Sequence, residues 1–223
     1  MKTGFSNIDN LLGGFKPGEL ITMSALPEIG GTSFALSVAA NVLKQPATKV
    51  LYVSLEVNSQ QLAERFFKTM GDEIWDFAER FFIEDDTKIS SQEIIEKITT
   101  IKPEIVIIDK LEFFYCQNID NQKNSIELWL LELKCIAVRM GVPVLALSQL
   151  PSECAGKLVL KPENFPYASE FVDELGFLER ITDSKSEFYN VVTAYFYPKT
   201  IAYGSSYVGM LKFKDGRIFK SAR

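Results

Sequence analysis

The stretch Ser24-Ala25-Leu26-Pro27-Glu28-Ile29-Gly30-Gly31-Thr32-Ser33 decides how this chain is read. It follows the apolar run Glu19-Leu20-Ile21-Thr22-Met23-Ser24, set off by the turn Lys16-Pro17-Gly18, which reads as a β-strand. It leads into Thr32 to Leu43, where Phe34, Leu36, Val38 and Leu43 among small residues give a helical pattern. A glycine-bearing turn from strand into helix is where a phosphate-binding loop sits, because the helix N-terminus presents unpaired N–H groups and a favourable dipole. A complete loop of this kind adds a lysine for the β/γ-phosphates and a Ser/Thr hydroxyl for Mg²⁺. Gly30 and Thr32 suit such a loop, but Gly31 stands at the lysine position. Alone, the segment also reads as a plain tight turn.

Outward from the loop, strands and helices alternate. Lys49 to Leu55 is an apolar strand, Ser59 to Met70 is helical with Asn58 or Ser59 as cap, and Phe81 to Ile83 is short and strand-like. Ser91 to Ile101 is amphipathic, with Ile94, Ile95 and Ile98 on one side. Glu104 to Asp109 is a buried strand ending in a carboxylate, Ile126 to Met140 a Leu-rich helix, and Val142 to Leu147 another apolar strand. Residues 151–166 read as a loop, and Phe171 to Ile181 is ambiguous. Val191 to Tyr197 and Tyr207 to Phe213 are β-rich, and Asp215-Gly216 signals a hairpin turn. The alternation predicts an α/β fold, a mostly parallel sheet with helices on both faces and an antiparallel C-terminal edge.

The chain has 223 residues, 47% of them hydrophobic and 24% charged, as expected of a single globular domain spanning residues 1–223. No apolar run reaches the roughly 20 residues of a membrane-spanning helix. The start, Met1-Lys2-Thr3-Gly4, carries no apolar signal region, and a cytoplasmic location is expected. Cys116, Cys135 and Cys154 are scattered and indicate neither a disulfide framework nor a zinc site. The absence of His excludes His-based catalysis. The net charge of −5 is uneven, with seven Lys/Arg against two Asp/Glu in residues 185–223.

The order of short motifs is the strongest signal. Thr3-Gly4-Phe5-Ser6-Asn7-Ile8-Asp9, then Gly13-Gly14-Phe15-Lys16-Pro17-Gly18-Glu19-Leu20, then the loop, then Val53-Ser54-Leu55-Glu56 with Gln61-Leu62, resemble the motor domain of DnaB-family replicative helicases. Ile107-Ile108-Asp109, Leu147-Ser148-Gln149-Leu150 and Phe177-Leu178-Glu179-Arg180 continue the resemblance. It implies a RecA-like P-loop NTPase fold, ATP and Mg²⁺ as ligands, and single-stranded DNA, replication proteins and further copies of the chain as partners. It also implies residue roles. Glu56 falls at the glutamate that polarises the attacking water, Gln149 at the glutamine that senses the γ-phosphate, Thr32 at the Mg²⁺-binding hydroxyl, and Asp109 at the aspartate that holds Mg²⁺. Pro27, Gly30, Gly31, Thr32 and Ser33 form the phosphate loop.

The departures from that pattern are equally specific. Gly31 removes the loop lysine, Leu26 replaces an arginine, and Glu28 puts a carboxylate into the loop. The family's arginine-finger segment is matched by Ala194-Tyr195-Phe196-Tyr197-Pro198. Lost or impaired ATP hydrolysis and a binding or structural role in DNA metabolism are therefore expected. Two alternatives stay open: an active helicase core whose charge comes from Lys110 or Lys199, and a KaiC- or RecA-like regulatory ATPase domain. The candidate DNA loops are Cys116 to Ser125 and Pro151 to Pro166, neither rich in Lys/Arg. Tyr195, Phe196, Tyr197, Tyr203 and Tyr207 form either a stacking platform or a packed sheet edge.

Overall fold

The computed structural model describes residues 1–70, 77–114, 122–157, 160–165, 167, 169–180, 191–199, 207–214 and 218–221. Its strands are β1 (Leu20–Ala25), β2 (Val50–Ser54), β3 (Phe81–Glu84), β4 (Ile105–Asp109), β5 (Val144–Gln149), β6 (Glu174–Arg180), β7 (Val191–Pro198), β8 (Tyr207–Lys214) and β9 (Ile218–Ser221). The helices are α1 (Ser6–Leu12), α2 (Gly31–Leu43), α3 (Ser59–Met70), α4 (Ser91–Ile101) and α5 (Gln122–Met140). One nine-stranded sheet runs in the order β3-β2-β4-β5-β1-β6-β7-β8-β9. The pairs from β3 to β6 are parallel, and β7, β8 and β9 add antiparallel neighbours. The expected α/β architecture with an antiparallel C-terminal edge is the one observed.

Side chains alternate across a strand, so a sheet covered on both faces needs apolar residues at successive positions. Ile105 and Ile107 of β4 enter one core with α1, α2 and α3, while Val106 and Ile108 enter the other with α4 and α5. Leu145 and Val144 of β5 divide in the same way.

The opening motif acts as a staple. Asp9 accepts bonds from Thr3 N at 2.7 Å, Thr3 Oγ1 at 2.9 Å and Gly4 N at 3.0 Å. Phe5, fixed by that turn, stacks on Phe34 of α2 with ring centres 5.6 Å apart. The helix α4 begins at a capping box, Ser90 with Glu93.

The ambiguous segment Phe171 to Ile181 contains β6, which pairs with β1 near the middle of the sheet. An interior glycine and a buried acid, Glu174, weaken its strand signal. Gly176 is there for space, since a Cβ at that position would lie 2.7 Å from the Thr22 carbonyl oxygen. Residues 151–166, read as a loop, contain two short 3₁₀ turns, Ser152–Cys154 and Pro162–Asn164. Residues 116–121 of the first candidate DNA loop, Tyr203 and Asp215-Gly216 lie outside the described residues.

Parallel register decides where chemistry can occur. Ser54 pairs with Asp109 and Ala25 with Gln149, so β1, β2, β4 and β5 end together at one edge of the sheet. Ligand crevices of open α/β sheets form beyond such carboxyl ends.

Candidate phosphate-binding site

A cavity of about 450 Å³ opens at that edge. Its walls include Pro27, Gly30, Gly31, Thr32 and Ser33 from the β1–α2 loop, Glu56 after β2, Asp109 at the end of β4, and Gln149 at the end of β5. Every residue singled out from the sequence as catalytic, phosphate-binding or metal-binding thus lines one cavity. Lys110, Arg65 and Arg180 line it too.

The loop is held open by its backbone. Gly30 caps α2 at φ 112° and ψ 32°, a left-handed conformation that suits glycine, and no side chain caps the helix. The first turn of a helix leaves N–H groups without intrahelical partners, and here that turn borders the cavity. Glu28 also adopts a positive φ of 64°, at a cost of about 1 kcal/mol for a residue with a Cβ. Glu28 is exposed and contributes to the cavity lining. Arg180 braces the loop by donating from Nη2 to the Ile29 carbonyl at 3.2 Å. At Gly31 an added Cβ would meet no described atom within 4 Å.

Asp109 is 1% exposed. Tyr52 donates to its Oδ2 at 2.7 Å, whereas Oδ1 is buried with no hydrogen-bond partner among the described residues. Burial pushes the Asp109 carboxyl above its usual range, and the Tyr52 hydrogen bond together with the nearby Thr32 hydroxyl pulls it back. A buried carboxylate oxygen with no partner, next to a Thr hydroxyl at a helix N-terminus, is a donor set suited to a hard divalent cation. The residues present therefore fit Mg²⁺.

The remaining wall is electrostatic. Lys110 Nζ lies 3.0 Å from Glu56 Oε2 and 3.3 Å from Gln149 Oε1. The peptide joining Asp109 to Lys110 is cis. Gln149 is fixed through its backbone N–H, which donates to Glu112 Oε1 at 2.9 Å, and the Tyr167 hydroxyl donates to the same oxygen at 3.0 Å. Burial raises the Glu112 carboxyl, and both hydrogen bonds oppose that rise. Ser24 and Ser148 share a buried 2.6 Å hydrogen bond that ties β1 to β5 just beneath the cavity.

Sequence reasoning missed two cations. Arg65 lies on the polar side of α3, where charge reads as a solvated helix face. Arg180 was noticed only as the end of a segment, and the position of β6 beside β1 was needed to bring it to the loop. Lys199 lies outside the cavity, with its ammonium bonded to the Glu170 carbonyl and its backbone N–H to the Asp173 carbonyl at 2.8 Å. Phe196 and Tyr197 are buried, and the Tyr197 hydroxyl donates to the Leu160 carbonyl at 2.7 Å, so this part of the aromatic cluster packs as core.

A sequence model of the DnaB-like helicase C terminal domain matches residues 1–74. The replicative DNA helicase DnaC of Bacillus subtilis is 31% identical over 176 residues, spanning 66% of this chain and 39% of the helicase. A probable replicative DNA helicase of Trieres chinensis is 28% identical over 191 residues, spanning 73% of this chain and 42% of the relative. The chain thus spans about two-fifths of the length of these curated relatives. Among solved structures, a DnaB-like replicative helicase studied for its interactions with primase superposes with a TM-score of 0.85 at 23% identity, covering 99% of this chain and 61% of that one. A KaiC-like protein from Pyrococcus horikoshii gives a TM-score of 0.72 at 16% identity, covering 100% of this chain and 98% of that one. These neighbours establish the RecA-like ATPase fold.

Proposed function

The chain is a relative of DnaB-like helicase C-terminal domains, built on the RecA-like ATPase fold, and on that premise we propose that it binds a nucleoside triphosphate with Mg²⁺ but hydrolyses it poorly. The observation that carries this reading is the convergence of the Gly30–Ser33 turn, Asp109, Glu56 and Gln149 on one cavity. The loop N–H groups would receive phosphate oxygens, and Thr32 with Asp109 would hold Mg²⁺. Glu56 would orient the attacking water and accept its proton, and Gln149 would contact the third phosphate. Gly31 withholds the cation that a complete loop brings to the β/γ-phosphates. Removing a comparable charge clamp typically costs about 3–4 kcal/mol of transition-state stabilisation.

The setting we propose is DNA replication or metabolism in the cytoplasm. Single-stranded DNA, replication proteins or further copies of the chain are its partners, and it acts as a binding or structural module. The curated relatives carry replicative-helicase names, which supports that setting. No helix among the described residues is long and apolar enough to cross a membrane.

Calorimetric titration of ATP with Mg²⁺ tests the reading. Saturable binding in the micromolar range that weakens when Mg²⁺ is withheld is the expected result. Absence of binding at millimolar ATP would overturn it.

A further inference from the structure

We propose that Lys110 is a displaced phosphate lysine, which takes the terminal-phosphate contact that Gly31 cannot make, while Glu56 holds its place in the nucleotide-free domain. The inference rests on the reading that this cavity binds a nucleoside triphosphate.

Three observations lead to it. First, Lys110 is well inside the cavity wall, its side chain 18% exposed, against 35% for Glu56. Second, its ammonium touches the two polar groups assigned to the reacting end of the nucleotide, Glu56 at 3.0 Å and Gln149 at 3.3 Å. Arg180 is instead turned to the Ile29 carbonyl. Third, position 31 carries no side chain and a Cβ added there would meet no described atom within 4 Å, so the loop brings no ammonium of its own.

The pair with Glu56 has a chemical consequence. A lysine ammonium is a compact point charge with three donors on a flexible stem, and it can exchange one oxyanion for another without moving its backbone. A triphosphate brings more negative charge than one carboxylate and displaces Glu56 from Lys110. Glu56 is then released at the moment the third phosphate arrives. A diphosphate lacks the group that reaches Lys110 and leaves the Lys110–Glu56 pair intact. Lys110 therefore sets preference for triphosphate over diphosphate and gates the availability of Glu56.

The test compares ATP and ADP, each with Mg²⁺, by calorimetry on the wild-type chain, Lys110→Ala, Lys110→Gln and the double variant Gly31→Lys/Lys110→Ala. Loss of one charge-assisted contact lowers ATP affinity about tenfold in both single variants, with ADP affinity changed about twofold or less. A lysine returned at position 31 recovers ATP affinity to within about threefold of wild type, a rescue that a merely structural Lys110 would not permit. Thermal unfolding without nucleotide reports whether each variant is folded, and Lys110→Gln serves if the alanine variant is not. Equal loss for both nucleotides, unchanged ATP affinity, or failure of position 31 to rescue overturns the assignment while leaving nucleotide binding intact. A wild-type chain that binds neither nucleotide overturns both.

Discussion

The Tyr52 hydroxyl donates a 2.7 Å hydrogen bond to Asp109 Oδ2 across neighbouring parallel strands, and both side chains are buried. This bond holds a buried carboxylate that lines the cavity and whose other oxygen has no hydrogen-bond partner among the described residues. Tyr52→Phe leaves that oxygen pair without its buried donor. We expect a loss of about 1–2 kcal/mol in urea unfolding and weaker Mg²⁺-dependent nucleotide binding. Unchanged stability would mean that the bond is not formed in solution.

Asp109 itself shows a conflict between stability and ligand binding. Burial raises its carboxyl, so the charged form is disfavoured there. Asp109→Asn removes that charge. Without ligand, the variant is expected to match wild type in stability or exceed it by up to about 1 kcal/mol, and to lose the extra thermal stabilisation from ATP with Mg²⁺. A ligand-induced shift equal to that of wild type would exclude Asp109 from the metal site.

A pH signature comes from the opposite end of the sheet. Glu174 begins β6, and burial with the nearby Glu19 carboxylate raises it to about 7. An unfolded glutamate titrates near about 4.3. Between those values the folded chain holds the extra proton, so this group lowers stability as pH rises through the window and adds no further loss above about 7. Glu174→Gln is expected to exceed wild type by about 1–2 kcal/mol at pH 8 and to match it near pH 4. Denaturant midpoints at the two pH values decide this, and a difference that does not change with pH would contradict it.

Asp9 offers a test of the opening motif. Its carboxylate collects three donors from Thr3 and Gly4, and that turn sets Phe5 against Phe34. Asp9→Ala is expected to cost about 2–4 kcal/mol, because buried donors lose a charged acceptor. A chevron or equilibrium urea curve gives the value. A cost under about 0.5 kcal/mol would show that the staple is dispensable.

The sequence carried much of this arrangement because most of its signals are local. Helix bounds at Ser59–Met70 and Ser91–Ile101 follow from apolar period and capping, and the structure reproduces both. Asp109 was legible because four apolar residues precede it, whereas Gln149, two residues beyond the apolar run Val142 to Leu147, is singled out by the motif resemblance alone. The signals that failed depend on neighbours. Gly176 is required by the Thr22 carbonyl on β1, a contact that no window along β6 contains. Arg180 reaches the Ile29 carbonyl across 151 positions of sequence, and Tyr52 finds Asp109 across 57. Glu28 lines the cavity while staying exposed, on a left-handed backbone angle that its residue type does not favour and that no local pattern announces.

The proposed phosphate site lacks a loop lysine, with Gly31 in its place. The most direct measurement is ATP turnover by the wild-type chain and by Gly31→Lys, at saturating ATP and Mg²⁺. Binding with very slow turnover is expected in wild type, and turnover at least about tenfold faster once position 31 carries the ammonium. Wild-type turnover of about 1 s⁻¹ or more, unchanged by Gly31→Lys, would contradict it.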